Sequence, residues 1–499
     1  MNFLFYSNQG LCTPHLAIEL ELLDKLTIQG HEVHMVSCNN VLNSCYFNPS
    51  HNIVGCAICE AKTSKHYNLY NSAQLKKHKL DYYPQIEKIQ FPFFSTIDDL
   101  LDYEYKNINI GRGVASSVIS LFRETNINSH SHKDLIEQEI KMAINVMLNF
   151  EKLITQISPD CIYLFNGRFA ESHPVIELAK LNNITYKTLE KGTTYGSYDA
   201  YTNSLPHSIV ARQQKMDQIW NNANPITREE TAKNWFQKKF DGNPLNDVDF
   251  TGQQEKNLLP KNFDRKKENI AIFNSSEDEF KAIPEWQNSL YKDQNDAIQQ
   301  VVNHFKDQQN IHFFIRMHPN LKGLDNTQTR ELLDLNGPNF TVIPPESNID
   351  TYRLMFECDK TLTFGSRTGV EATFWEKPSI LYGKAFHMDL DCVYTPKSFE
   401  ELKELINQKN LAPKPISNTF KYAYFLGFRG KKLEQFVWKG KNKSLFKGKV
   451  MKRVTPLTLW YLVKYLSRIP VWLKFNRLIN NRGLRIQDLF KLHDENKLD

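Results

Sequence analysis

The sequence predicts an α/β protein of two doubly wound domains, with a helical insertion in the first and a basic helical tail after the second. Three observations carry this reading. The chain opens on a β-α-β pattern, a second series of strands ending in polar loops runs through 268–428, and 499 residues exceed what one hydrophobic core organises. A hydrophobic content of 41% and a charged content of 24% are ordinary for a globular chain. No stretch has the uncharged apolar length of a membrane span, and Met1 to Tyr6 lacks the basic start and long apolar core of a signal peptide. The expectation is a cytoplasmic chain whose eight cysteines are thiols or metal ligands.

Phe3 to Tyr6 reads as the first strand. Pro14 to Ile28 follows as a helix with Leu16, Leu20, Leu23 and Leu26 on a helical period, Gly30 stops it, and His31 to Ser37 is the second strand. The loop from Ser7 to Thr13 holds no G-x-G-x-x-G, which disfavours a dinucleotide. His15, at the helix start, has a side chain whose pKa suits proton abstraction near neutrality, although a capping or surface role also fits it. Cys38, Cys45, Cys56 and Cys59 then follow as C-x6-C-x10-C-x2-C in a segment rich in Asn, Pro and Ser. Read as a loop over 38–59, it would bring four thiolates onto a structural zinc; scattered reduced thiols are the other reading.

The stretch 62–157 breaks the alternation and reads as a helical insertion, with short helices over Ile97 to Tyr105 and Ile110 to Arg123 and a long amphipathic one from Leu135 to Ile157. The sheet resumes at Asp160 to Phe165, which ends in Asn166-Gly167-Arg168. A helix from Pro174 to Leu181 and a strand from Ile184 to Leu189 lead to Glu190. Arg168 suits an anion and Glu190 suits a base or an acceptor-orienting group, while ion pairing would satisfy each equally. The amide- and charge-rich segment 203–267 reads as helices leading to a boundary near Pro260 to Lys267, giving domains 1–260 and 268–428 and a tail over 429–499.

In the second domain three strand ends carry polar groups, where an open α/β sheet places its ligand. Asn269 to Phe273 ends in Asn274-Ser275-Ser276. His312 to Ile315 ends in Arg316-Met317-His318-Pro319. Thr361 to Phe364 runs into Gly365 to Gly369 and a helix from Val370 to Trp375, after which Ser379 to Tyr382 is the next strand. Backbone N–H groups beside the Ser366 and Thr368 hydroxyls suit a phosphate, and Glu371 in the first helical turn suits ribose hydroxyls. Helix capping explains Ser275, Ser276, Ser366 and Thr368 as well.

The order RMHP, FGSRTGVEA and EKPSILYG resembles the carboxyl-terminal half of bacterial capsule polysaccharide glycosyltransferases, a group including Kdo transferases and, more distantly, HP-motif sialyltransferases. The resemblance spans Ile270 to about Gly430 and is thinner upstream, where the Asn166-Gly167-Arg168 and Glu190-Lys191-Gly192 segments share it. It implies a GT-B fold, two Rossmann-like domains facing a cleft, with the sugar nucleotide held mainly by the second. It further implies that His318 contacts the donor phosphate, that Ser366, Thr368 and Gly369 line the phosphate loop, that Glu371 holds the ribose, and that Ser116, Ser117 and Arg123 line the acceptor side.

The expected reaction is transfer from a nucleotide-sugar to a hydroxyl of a cell-surface polysaccharide or lipid-linked glycan, with no catalytic metal. A CMP-linked acidic sugar is favoured and a UDP-sugar is compatible. Arg316, His318 and the serine loop would stabilise the departing phosphate, and His15 or Glu190 would act as base. A teichoic-acid type CDP-polyol phosphotransferase and a noncatalytic scaffold binding nucleotide-sugar or nucleic acid are the alternatives.

Between Arg429 and Lys491 stand seventeen Lys plus Arg against Glu434 and Asp488, so this tail holds +15 of a chain whose net charge is +6 and the remainder holds −9. Leu457, Leu459, Trp460, Tyr461 and further apolar residues up to Ile479 interleave with the charges. The pattern predicts attachment to an anionic membrane surface through 429–491, at the inner face of the cell membrane; terminal helices packed on the two domains with a solvated basic face are a competing reading, and nucleic acid is the less favoured partner.

Overall fold

Alternation of strands with helices produces two sheets, each the centre of its own unit. The computed structural model describes residues 1–70, 73–242, 251–440, 443–451 and 456–466. Unit 1 comprises Met1–Leu121, Ile127–Pro206 and the described residues from Gly430 on; unit 2 comprises Phe122–Asn126 and His207–Arg429.

Unit 1 begins with β1 (Asn2–Ser7), α1 (Thr13–Ile28), β2 (Glu32–Ser37), α2 (Ile53–Tyr67) and β3 (Leu75–Lys79). Then come α3 (Ile97–Leu101), the hairpin β4 (Glu104–Tyr105) and β5 (Ile108–Asn109), α4 (Gly111–Phe122) and α5 (Lys133–Ile157). The sheet resumes with β6 (Cys161–Phe165), α6 (His173–Leu181), β7 (Thr185–Lys191) and β8 (Ser197–Thr202). Strands lie in the order β8-β7-β6-β1-β2-β3, parallel except for β8. The five parallel strands thus follow the 3-2-1-4-5 order of a Rossmann half, with the chain reversing direction of growth between β1 and β6.

Two expectations are corrected here. The helical insertion does not begin at 62, because Leu75–Lys79 pairs with β2 as a parallel strand. Its sequence, LKKHK, has the lysine-rich character of a protected sheet edge. The segment 38–59 is not loop throughout: the Asn52 side chain accepts from the Val54 and Gly55 N–H groups and starts α2, which carries Cys56 and Cys59. The loop after β1 lies tightly against that helix. A Cβ on Gly10 would stand 2.4 Å from the Cys59 carbonyl oxygen, which leaves room only for glycine.

Unit 2 opens with α7 (Ile209–Asn222) and α8 (Arg228–Phe240), followed by β9 (Glu268–Phe273), α9 (Gln294–Phe305), β10 (Ile311–Arg316), α10 (Thr327–Asp334) and β11 (Phe340–Ile343). It continues with α11 (Thr351–Glu357), β12 (Lys360–Thr363), α12 (Thr368–Phe374), β13 (Ser379–Leu381), α13 (Phe399–Asn407) and α14 (Ser417–Phe428). The all-parallel order β11-β10-β9-β12-β13 is the same 3-2-1-4-5 arrangement. Both faces are covered, so the strands are buried along nearly their whole length and rich in apolar residues. Ile270, Ile272, Phe313 and Ile315 meet α9 and α13 on one side, while Ala271, Phe273 and Phe314 meet α11 and α12 on the other.

The expected boundary at 260 moves to 206. Met216, Ala232, Trp235 and Phe236 of α7 and α8 pack with Val370, Phe420 and Phe425 of α12 and α14, which makes those two helices part of the second unit's core.

The start of the basic tail also has a different structure from the helical one expected. β14 (Lys431–Lys432) pairs antiparallel with β8, and β15 (Phe436–Val437), β16 (Leu445–Phe446) and β17 (Lys449–Val450) form a small antiparallel sheet. Buried carboxylates of α1 hold this segment: Glu21 accepts the Glu434 and Gln435 N–H groups, and Asp24 pairs with Lys447. α15 (Pro456–Leu466) then rests on α2 through Tyr461 and Tyr465. No helix among the described residues is long and apolar enough to cross a membrane. The rest of the tail, with Ile469 to Ile479, lies outside the described residues.

Candidate functional site

In unit 2 the carboxyl ends of β9, β10 and β12 converge. Gly365, at φ +150°, would place a Cβ 3.1 Å from Ser275 Oγ and 3.2 Å from the Lys384 carbonyl oxygen, so a glycine lets the β12 loop approach the β9 loop. Asn274 Oδ1 accepts the His318 N–H at 2.7 Å and ties the β9 and β10 loops together. Gln294 holds Ser275 from both sides, its Oε1 accepting the Ser275 N–H at 2.9 Å and its Nε2 donating to Ser275 Oγ at 2.8 Å. The Ser366 hydroxyl donates to Thr368 Oγ1 at 3.0 Å and accepts the Thr368 N–H at 3.3 Å.

The protonation of His318 follows from its surroundings. Burial, then the charges of Arg367 and Arg123, push its pKa down to about 4, so the ring is neutral near pH 7. Its Nδ1 accepts the Asn320 N–H at 3.1 Å, which puts the ring proton on Nε2. His318 is a neutral hydrogen-bond donor with arginines around it.

Arg123, expected on the acceptor side, belongs to this cluster instead. It stands in a left-handed turn at φ +53°, donates to Ser276 Oγ at 3.0 Å and pairs with Asp278. Ser276 gives no side-chain cap to the short helical turn after it. Arg316 is nearly fully buried, with Nη1 on the Pro344 carbonyl at 2.7 Å and Nη2 on the Ser347 carbonyl at 3.0 Å. Burial lowers its pKa to about 10, and its guanidinium holds the 344–347 turn rather than a loop surface.

Gly369 has a packing role, since a Cβ there would lie 3.0 Å from Thr363 Oγ1 and 3.1 Å from Ser379 Oγ. Glu371 is buried, with Oε1 on Lys239 Nζ at 2.6 Å and Oε2 accepting the Tyr352 hydroxyl at 2.7 Å. Burial alone would raise its pKa, but Lys239 and Arg367 outweigh that and keep it ionised. Each carboxylate oxygen can accept more than one hydrogen bond.

Unit 1 has its own cluster at the corresponding strand ends, β1 and β6, joined by β7. His15 Nε2 lies 3.8 Å from Glu190 Oε1, so the two alternative bases form one pair. The ring packs edge-on against Phe165 at 4.3 Å. Burial would lower the His15 pKa, but Cys12, Glu190 and Glu19 outweigh it and raise it. Asn166, in a left-handed conformation at φ +53°, donates Nδ2 to Glu190 Oε2 at 3.0 Å. Arg168 reaches Ser116 Oγ at 3.1 Å and lies over the Phe169 ring, while Ser117 Oγ accepts the Ala170 N–H.

Sequence reasoning passed over Cys12 and Glu19. Glu19 is buried and its pKa is raised to about 7 by desolvation, against hydrogen bonds from Ser7 Oγ at 2.6 Å and the Tyr67 hydroxyl at 3.0 Å. Its signal was legible, because it interrupts the apolar stripe of Leu16, Leu20 and Leu23. Cys12 had none beyond its proximity to His15.

The four candidate zinc ligands, Cys38, Cys45, Cys56 and Cys59, are close enough to influence one another, and burial pushes every one of these thiols up. Among the described residues no group of three or more Cys, His, Asp or Glu side chains is placed to hold a metal ion.

No protein-family model and no curated protein sequence matches the chain. Among solved structures, Thermosulfurimonas dismutans KpsC, a beta Kdo 2,4 transferase, is similar at 12% identity over 53% of this chain and 79% of that one, with a TM-score of 0.35. The beta Kdo 2,7 transferase of the same protein gives 14%, 56%, 79% and 0.33. UDP-GlcNAc 2-epimerase from Neisseria meningitidis, bound to UDP-GlcNAc, gives 12%, 85%, 98% and 0.27. Identities and TM-scores this low transfer no activity. The two Rossmann-like units are established by their own strand order.

Proposed function

We propose that this chain is a glycosyltransferase that moves a sugar from a nucleotide-sugar donor to a hydroxyl of a cell-surface polysaccharide or lipid-linked glycan. The observation that supports it best is the convergence of Ser275, His318 and the Ser366 to Thr368 loop at the carboxyl ends of β9, β10 and β12. These groups are hydrogen-bond donors in a setting made positive by Arg123 and Arg367, the environment a phosphate leaving group needs as charge builds on it.

In the proposed reaction His318 Nε2–H and the Ser366 and Thr368 hydroxyls hydrogen-bond the nucleotide phosphate, and Glu371 accepts from the ribose. His15 takes the acceptor proton, with Glu190 stabilising the imidazolium that forms. Arginines and hydroxyls supply the charge stabilisation, so the transfer is proposed to run without a catalytic metal. A CMP-linked acidic sugar is the favoured donor and a UDP-sugar the second. In this reading the chain works at the inner face of the membrane, with the exposed Leu459, Trp460 and Val463 of α15 as the lipid-facing residues.

Incubation with CMP- and UDP-sugars labelled in both sugar and phosphate tests the reading. Sugar label in product, with all phosphate left on the nucleotide, is the expected result. Phosphorus in the product would mean polyol-phosphate transfer, and no turnover of any donor would mean a binding protein.

A further inference from the structure

We propose that Cys12 is an activated thiol, a modification site where low-molecular-weight disulfides and soft electrophiles react ahead of the other seven cysteines, with His15 and Glu190 as the activating groups. Cys12 is the residue immediately before α1, a 16-residue helix, and so stands at that helix's positive end. The imidazole that interacts with the thiol is His15, three residues on; its side chain is 9% exposed and its Nδ1 is buried without a hydrogen-bond partner. Across that ring Nε2 faces Glu190 Oε1 at 3.8 Å. Cys12, His15 and Glu190 thus stand in the sequence thiol, imidazole, carboxylate that activates a sulfur nucleophile. Cys12 is itself partly exposed.

The charged groups around the thiol come from three elements. His15 and Glu19 lie on α1, Lys62 on α2 with its Nζ 2.6 Å from Thr13 Oγ1, and Glu190 on β7. Burial alone would push the thiol up; His15 and then Lys62 outweigh it and hold it below its ordinary range. The other cysteines have the opposite surroundings. Cys38, Cys45, Cys56 and Cys59 face one another and the carboxyls of Glu60 and Glu171, while Cys161, Cys358 and Cys392 are buried, and all seven thiols are pushed up.

In the reaction, His15 accepts the Cys12 proton as the sulfur attacks one sulfur of a disulfide RS–SR. A Cys12–S–S–R bond forms as the S–S bond breaks, and the electron pair leaves on RS⁻, which takes up a proton. Cys12 is oxidised to the disulfide level and half of the reagent is reduced to thiol. Modification takes away the thiol that interacts with His15 and places a bulky group beside the ring. If His15 is the base, as the proposed transferase reading holds, turnover stops.

The test uses the native full-length chain, oxidised glutathione and iodoacetamide, with peptide mapping by mass spectrometry between about pH 6 and 9. At pH 6.5 an unperturbed thiol of pKa about 8.5 is only about 1% thiolate. Cys12 is expected to react about tenfold faster than any other cysteine there. His15→Gln is expected to slow it about tenfold and move its pH midpoint upward, and Glu190→Gln to do so less, with thermal midpoints confirming that both variants fold.

Another cysteine reacting first, or a His15→Gln profile identical to the unmodified protein's, would overturn the proposal. Loss of sugar transfer in step with Cys12 labelling supports control of the base. Complete labelling with transfer intact would overturn that control and the assignment of His15 together, while selective labelling itself is read without any turnover.

Discussion

Units 1 and 2 share one strand order, 3-2-1-4-5, yet the groups at their switch points differ in kind. Unit 2 gathers neutral donors and arginines, with His318 driven down to about 4 and the hydroxyls of Ser275, Ser366 and Thr368 close by. Unit 1 gathers titratable groups held away from their ordinary values: His15 raised, Glu19 raised to about 7, and the Cys12 thiol lowered. The same topology thus offers a place at the strand ends in each unit, while the residues there set its chemistry.

The comparison breaks most severely at His318. His318→Ala is expected to lower kcat by about 100-fold or more through loss of a leaving-group donor, with folding unchanged by circular dichroism. Next is the Lys239 and Glu371 pair, both members largely buried. Lys239→Met leaves an uncompensated carboxylate and is expected to destabilise the protein by about 3 kcal/mol in chemical denaturation. A change below about 1 kcal/mol would show that Tyr352 and Arg367 hold Glu371 without Lys239.

For unit 1 the sign of the pH dependence is the sharper test. A base must be unprotonated, so kcat/KM is expected to fall as pH drops through the raised pKa of His15, above the ordinary 6.5. Glu190→Gln removes one cause of the elevation and should move that limb to lower pH. An unmoved limb would separate Glu190 from the base.

A smaller effect is expected on stability. Glu19, Glu171 and Glu277 are all raised to about 7 by burial. A carboxyl raised on folding contributes stability that is complete below its unfolded pKa and is lost as pH rises through about 7. The thermal midpoint should therefore decline from about pH 5 to 8, and less so in Glu171→Gln, whose Oε2 has no hydrogen-bond partner. Smallest is the membrane effect: Trp460→Ser, at an exposed position on α15, should weaken flotation with anionic liposomes without altering sugar transfer in solution.

Much of this arrangement was legible in the sequence, and the lapses have physical causes. Four of the five strands of unit 2 were legible, the buried run Phe313-Phe314-Ile315 most of all, because sheets covered on both faces favour apolar residues, while β11 was not anticipated. β3 was hidden by its lysines, and β14 to β17 by their two-residue lengths within a strongly basic stretch. Arg123 and Lys239 reach the β9 loop and Glu371 over separations of more than a hundred residues, which no local pattern encodes. Gly369 looked like part of a phosphate loop because a glycine needed for helix packing and one needed for ligand approach have the same sequence.

The most direct test of the donor assignment is a thermal-shift titration with CMP, CDP, UDP and GDP on the unmodified chain and on His318→Ala and Glu371→Gln. The account predicts stabilisation by a cytidine or uridine nucleotide that His318→Ala abolishes and Glu371→Gln weakens. Equal stabilisation of all three proteins, or none by any nucleotide, would contradict it.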